Sequence, residues 1–468
     1  GAWQIYEQRD VAHWSRGFDV APEWAITRRN RDFDGSSLFS GPGAGPVDDP
    51  GTGTVEDPSP GSQEDEDAGD GGSDDGRIEP PPPAPDAATD SDGNGVPDAI
   101  QAMPLNVWQP ISTNTLADVD PCPARDCPYS AVSGQRAVLN EWNGGAFAGD
   151  VGALGSLLYW GGGHGGYYGN ELYRFDVASL SWLRHTEPTT AADPAVPDDF
   201  GLDPDTCRWH DGTPIAHHTY DTVVFDSTRQ RFYLMGVGDE PAQPPGGKGY
   251  CASSQPAYFD FIAGRWGNSS APSIGPGFRR GASAWDPNRE LIWVQGVAGD
   301  NALAAFDPGA DTWTVHARPG GWQPLDLNGE IDPMRDLFVL ADFRNGAGVH
   351  VWDLSAGRKE RVTVSTVGDT EIEDRRAAGI MWIQHLDAFA VWHSGGAYYL
   401  LHPPPAGEDW RQAPWRWERI ETGGTPPAKP INGVYSKIRY LPQLGIMIVA
   451  TRRDEPVFGL RVVEPAGP

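Results

Sequence analysis

Three times in this chain a Phe-Asp pair is followed, six residues after the Asp, by a tryptophan: Phe175-Asp176 with Trp182, Phe259-Asp260 with Trp266, and Phe306-Asp307 with Trp313. An alternating strand that ends on an aromatic and an Asp, a tight turn, and a second strand carrying a large ring describe a hairpin that closes a sheet. Trp352-Asp353 opens a fourth copy in which Lys359 stands at the tryptophan position. From Asp260 to Asp307 to Asp353 the spacing is 47 and 46 residues, the length of one four-stranded blade. The wider gap between Asp176 and Asp260 holds two loop-like insertions, at about 187–216 and 238–256.

A second periodic signal gives the same count. Phe225-Asp226, Trp285-Asp286-Pro287, Ile331-Asp332-Pro333, Ile383-Gln384 and Tyr440-Leu441-Pro442 each end one strand and lead through a turn into an apolar run such as R-F-Y-L-M-G-V or I-M-I-V-A-T. With the stretch from Ala146-Phe147 to Trp160, six inner hairpins are present, and six hairpins predict six blades. The last blade ends without an outer tryptophan strand. The segment L-N-V-W-Q-P-I-S from Leu105, with Trp108, is the missing strand, and its pairing with the C-terminal strands would close the ring and remove two exposed sheet edges. The 59 glycines and 44 prolines agree with many short strands and tight turns and disfavour long helices.

Two other zones precede this region. Residues 1–44 form an aromatic arm carrying Trp3, Tyr6, Trp14, Phe18, Trp24, Phe33 and Phe39 without a sustained period. Such an arm buries no core of its own and is expected to anchor on the chain's own main domain or on a neighbouring molecule, a protein partner or another copy of the chain. Residues 45–104 are an acidic Pro/Gly-rich linker whose like charges and scarcity of apolar groups predict an extended tether. Of the net charge of −30, about half sits between residues 47 and 98, where sixteen Asp and Glu face one Arg, so a nucleic-acid partner is disfavoured. No run of about 18 apolar residues exists to span a membrane as a helix.

Near the end of the linker, D-S-D-G-N-G-V-P-D places Asp90, Asp92, Asn94 and Asp98 at spacings that suit an oxygen-ligand loop, with Gly95 at the sharp turn. These nine residues resemble the calcium loops of dockerin and thrombospondin type 3 repeats, with Gln101 where an EF-hand has a bidentate Glu. The resemblance implies calcium as a cofactor. Four cysteines allow three pairings, and locality favours Cys122 with Cys127 and Cys207 with Cys251. That layout suits an oxidising compartment, secreted or extracellular. A start at Gly1-Ala2-Trp3 is what removal of a targeting segment leaves, although an artificially trimmed chain begins the same way.

The Gly, Asp and Trp positions of residues 105–463 resemble kelch repeats, and the region is similar to the kelch-type propellers of the galactose oxidase central-domain superfamily. W-G-G-G-H-G-G-Y-Y-G-N-E-L-Y-R-F-D and H-H-T-Y-D at 217–221 resemble segments of secreted bacterial propellers. The resemblance implies an all-β, six-bladed kelch-like β-propeller closed by an N-terminal strand, preceded by the arm and linker. It implies no activity, because this fold carries enzymes, adaptors and structural modules alike.

The repeated glycines, Asp and Trp residues have structural roles in turns and between blades. What one copy alone holds is the loop from His164 to Glu171, and His164, Tyr167, Asn170, His218 and Tyr220 are the ligand-binding candidates there. No stretch matches a galactose-oxidase copper motif, a sialidase arginine triad, a phosphate loop, G-x-S-x-G or H-E-x-x-H, so no catalytic residue is assigned. The expected function is a non-catalytic secreted or cell-surface binding and assembly module, with a carbohydrate-binding or carbohydrate-active propeller as the alternative and a glycan as its partner.

Overall fold

A computed structural model describes residues 88–463 apart from 123–130, 164–165, 192–199, 242–249, 276, 279, 297–300, 319–325, 344–347, 358 and 406. The aromatic arm, residues 45–87 of the linker, Cys127 and His164 lie outside the described residues.

Six sheets built on four antiparallel strands follow one another, two of them with a parallel fifth strand, which in the sixth is Gly423–Gly424. Blade I comprises Gly145–Ala148, Ser156–Tyr159, Tyr173–Asp176 and Ser181–Arg184. Blade II comprises Val223–Asp226, Arg231–Leu234, Ala257–Asp260 and Arg265–Asn268. Blade III comprises Ala282–Asp286, Leu291–Gln295, Leu303–Asp307 and Thr312–Ala317. Blade IV comprises Asn328–Asp332, Leu337–Asp342, Gly348–Asp353 and Arg361–Thr363. Blade V comprises Gly379–Ile383, Ala388–Trp392, Ala397–His402 and Trp415–Glu421, and Thr366–Gly368 adds a parallel fifth strand. Each inner strand packs on the next, and the inner strand of the sixth blade packs on that of blade I.

Blade VI draws on both ends of the described chain. Ile438–Leu441, Ile446–Val449 and Phe458–Arg461 pair in order, and Val107–Pro110 then joins antiparallel with Trp108 opposite Leu460. The sequence-predicted closure is therefore present. Trp108 is buried, with its ring centroid 5.5 Å from that of Trp392 in blade V.

The core consists of six apolar layers, one between each pair of neighbouring blades. Because alternate residues of a strand point to opposite faces, a strand sandwiched between two blades must be apolar on both. In Ser156–Tyr159, Leu157 and Tyr159 pack with Ile446 and Ile448 of blade VI, whereas Leu158 packs with Val223 and Phe232 of blade II. The repeated tryptophans stand where the repeat puts them: Trp182, Trp266 and Trp313 face Phe175, Phe259 and Phe306 across the outer pair of strands. Trp266 also meets Trp160 of the preceding blade at 6.1 Å, which makes the hairpin ring part of the blade-to-blade contact.

The Asp of each repeat closes its turn. Asp260 Oδ1 accepts the N–H groups of Ile262 and Ala263 at 3.0 and 2.8 Å, and Asp307 Oδ1 those of Gly309 and Ala310 at 2.8 and 2.9 Å. In blade IV the expectation for Lys359 does not hold. The turn after Asp353 is two residues longer, so Arg361 faces Trp352, and Lys359 Nζ instead donates to the Leu354 and Ala356 carbonyls at 2.6 and 2.5 Å.

Inner-hairpin turns are tied from blade to blade by arginines. Arg289 bonds Asp286 within its own turn at 2.9 Å and Asp336 of blade IV at 2.8 Å, and Arg335 repeats this with Asp332 at 2.8 Å and Asp387 of blade V at 2.5 Å. The two insertions are not independent loops. Val237–Pro241 and Tyr250–Ser253 form a hairpin, and the disulfide Cys207–Cys251, with Cα atoms 5.6 Å apart, ties it to the first insertion. Cys122 is also disulfide-bonded. Among the described residues no helix is long and apolar enough to cross a membrane.

Replacing Trp108 by Ala removes a fully buried ring from the closing strand and is expected to cost about 3–5 kcal/mol. The shift in the denaturant midpoint measures it, and an unchanged midpoint would mean that this strand does not hold the ring.

Candidate functional site

The loop that the sequence singled out is built into the fold by its glycines. A Cβ on Gly163 would lie 2.4 Å from His217 Cα, so the loop passes against the segment that enters blade II. Tyr167 donates its hydroxyl to Glu171 Oε1 at 2.6 Å, and Tyr173 donates to the same oxygen. Tyr173 in turn accepts from Gln135 at 3.0 Å, and Gln135 accepts from Arg453 at 2.7 Å. Burial lifts the Glu171 carboxyl from 4.5 to about 7, outweighing these two donors, which favour the anion.

Asn170 staples the first insertion to blade I. Its Nδ2 donates to Thr189 Oγ1, Thr213 Oγ1 and Pro214 O at 2.9, 2.8 and 3.0 Å, and its Oδ1 accepts the Thr189 N–H at 2.8 Å. His217 is buried edge-on to Trp160, with Nδ1 2.9 Å from Ile215 O, and burial holds its imidazole down at about 4. His218 is buried beside Trp142 and Tyr220, at 5.0 and 6.0 Å between ring centroids. The structure thus gathers Tyr167, Asn170, His218 and Tyr220 near one end of the disc, in buried positions.

That end of the central channel is crossed by contacts between blades that are not neighbours. Asp221, entering blade II, accepts the Gly329 N–H of blade IV at 2.7 Å. Tyr435, entering blade VI, donates to Asp326 ahead of blade IV at 3.0 Å and meets Tyr220 edge-on at 5.7 Å. Lys437 is wholly buried, its Nζ bonded to the carbonyls of Glu141 and Gly433 at 3.1 and 2.9 Å, and burial lowers it to about 7.

At the opposite end, among the inner-hairpin turns, lies a cavity of about 370 Å³. Every blade contributes the last-but-one residue of its inner strand to the wall: Phe147, Phe225, Trp285, Ile331, Trp382 and Tyr440. Glu330 and Arg439 also line it, paired at 3.1 Å, and Arg439 Nε donates to Gly145 O at 3.1 Å. The sequence pattern marks five of these positions as strand ends and passes over Trp382, one residue before Ile383-Gln384. They share no local motif, and only the ring brings them together.

In the acidic loop, Asp90 accepts the N–H groups of Gly93, Asn94 and Gly95 at 2.9, 3.2 and 2.8 Å, and Asp98 accepts from Ser91. Asp92 Oδ1, Asn94 Oδ1 and Val96 O converge on Gln101 Nε2 at 3.2, 3.4 and 2.8 Å. These three oxygens suit a hard cation in place of the amide nitrogen. Among the described residues no group of three or more His, Cys, Asp or Glu side chains is arranged to hold a metal ion.

The architecture defines the chain as a six-bladed β-propeller. No family model matches it. A cysteine desulfurase of Klebsiella pneumoniae is 23% identical over 219 residues, a match covering 41% of this chain and 50% of that protein, so the chain spans about half the length of that curated relative. Among solved structures, YjhT is 10% identical with a TM-score of 0.37, covering 67% of this chain and 97% of its own. A Bacteroides thetaiotaomicron protein of unknown function is 12% identical with a TM-score of 0.40, covering 75% and 74%. An auxiliary nutrient binding protein from Bacteroides ovatus is 10% identical with a TM-score of 0.37, covering 65% of each chain. Likeness at these levels assigns no ligand or reaction to this chain.

The raised Glu171 carboxyl sets a direction for pH dependence. The unfolded chain loses this proton near 4.5 and the folded chain near 7, so the group's contribution to stability falls as pH rises through that window. Glu171→Gln removes the term and is expected to be more stable than the parent at pH 8 by on the order of 2 kcal/mol. Urea unfolding at pH 5 and pH 8 reads it, and a parallel loss at both pH values would show that the carboxylate is stabilising instead.

Proposed function

We propose that this chain is a secreted or cell-surface binding module of kelch type, a rigid propeller that holds a partner and does no chemistry of its own. The arm of residues 1–44 and the tether of residues 45–104 join it to a protein partner or to further copies, in a structural assembly such as an extracellular filament or envelope complex. The observation that carries this reading is the use made of the loop that only blade I possesses. Tyr167, Asn170 and Glu171 Oε1 are engaged in holding an insertion and a buried network. A disulfide across the two insertions supports an oxidising setting.

Sedimentation velocity of the full chain and of a variant lacking residues 1–44 tests the assembly role. The full chain is expected to self-associate, or to be retained on a host surface, and the shortened chain to do neither. Identical behaviour of the two overturns the reading.

Calcium binding by Asp90, Asp92, Asn94 and Asp98 is part of the same proposal, the loop serving as a stiff joint between tether and disc. Supporting it are the three oxygens that converge on Gln101 Nε2. Calcium added to chelator-treated protein is expected to give a saturable calorimetric signal that Asp92→Asn abolishes. An equal signal from that variant would place the ion elsewhere.

A second reading, a carbohydrate-binding propeller, draws on a different observation. Trp108, Trp160, Trp182, Trp293, Trp352, Trp392, Trp415 and Trp417 are wholly buried in the body of the disc and unavailable to a sugar, but Trp285 and Trp382 line the cavity.

A further inference from the structure

We infer that the cavity at the turn end of the channel is a binding site for a neutral, polyhydroxylated six-membered ring, such as the terminal pyranose of a glycan. The inference deepens the carbohydrate reading and rests on it; it does not depend on the arm.

The wall comes first. Phe147, Phe225, Trp285, Ile331, Trp382 and Tyr440 occupy one register position in six blades, each at the edge of the wedge between its own blade and the one before. Five aromatic rings and one isoleucine thus surround a single opening. Phe225, Ile331 and Tyr440 are buried members of those wedges, and packing accounts for their apolar character. Phe147, Trp285 and Trp382 remain partly exposed. The negative face of an aromatic ring favours the polarised C–H groups on the flat side of a sugar.

The deeper polar groups then restrict the class. Arg439 commits Nε to Gly145 O and Nη1 to Glu330 Oε2, both at 3.1 Å, and its Nη2 has no partner among the described residues. Glu330 Oε1 receives only the Ile331 N–H, at 3.1 Å. A donor edge and an acceptor therefore stand side by side, and Asp150 adds a second carboxylate to the wall. With two carboxylates on the wall an anion is disfavoured, and a cation offers nothing to the Arg439 donor edge, whereas a neutral molecule with adjacent hydroxyls can donate to Glu330 and accept from Arg439. A cavity of about 370 Å³ is at the small end of ligand sites and holds one or two such rings. Ser227 and Gln384 in the surrounding turns offer further hydrogen bonds to a second unit.

The test is saturation-transfer NMR on the full chain with methyl pyranosides of glucose, galactose, mannose and N-acetylglucosamine. Choline and benzyl alcohol serve as the cationic and the purely apolar probes. At least one glycoside is expected to bind with a dissociation constant below about 10 mM. Trp285→Ala and Trp382→Ala are each expected to weaken it about tenfold or more. Because a truncated ring at the edge of a core can destabilise the blade, Glu330→Gln is measured as well; it keeps shape and should weaken binding with an unchanged unfolding midpoint. His218→Ala, at the other end of the disc, should leave binding as it was. The inference is overturned if no glycoside saturates up to about 100 mM, if choline or benzyl alcohol binds and no glycoside does, or if a bound glycoside is insensitive to all three cavity variants. None of these results bears on whether the full chain assembles through residues 1–44, which sedimentation decides separately.

Discussion

Val107–Pro110 and Phe458–Arg461 lie at opposite ends of the propeller sequence, and the ladder between them holds the ring shut. A blade of this protein is apolar on both faces, so each face needs a neighbour. In an open row of six, blades I and VI would each present a bare face to water. Closure converts those two faces into the layer where Leu157 and Tyr159 meet Ile446 and Ile448. The strand also supplies Trp108 to the layer between blades V and VI, so one short segment contributes on both sides of the join. Bringing these ends together across a long loop costs little more than across a short one, since closure entropy grows only slowly with length.

The two ends of the channel follow from the same ring. At the entry side, Gly329 donates to Asp221 and Tyr435 donates to Asp326, each pair joining blades that are not neighbours. At the turn side the arginine pairs that link Asp286 with Asp336 and Asp332 with Asp387 hold neighbouring turns at fixed spacing. The wall residues therefore stand on strand ends whose turns are tethered, a firmer support for a ligand than loops. Glu330 and Arg439 sit between these regimes, paired to each other and bonded to backbone.

Much of the fold was legible because its determinants are local and repeated. Phe-Asp with a later Trp encodes a hairpin whose ring pair, turn cap and blade contact all lie within one short segment, and closure was readable from the absence of that signal in the last blade. Lys359 was misplaced because the longer turn after Asp353 leaves no trace in the spacing of aromatic and Asp. The hairpin inside the second insertion was missed because its strands carry no alternating apolar pattern. The site was much less legible. His164 drew attention through its glycines, and it lies outside the described residues, while the loop's other side chains support the fold. The ring of Phe147, Phe225, Trp285, Ile331, Trp382 and Tyr440 is spread over most of the propeller and becomes a feature only when six strands converge on one axis.

Amide hydrogen exchange across residues 105–111 and 458–462 tests the closure most directly. If those strands hold the ring, both segments exchange slowly, at the rate of the inner strands of blades III and IV, and lose protection together in rising denaturant. Rapid exchange of 105–111 while blades I and VI stay protected would show that the ring closes without its N-terminal strand, and would contradict the account.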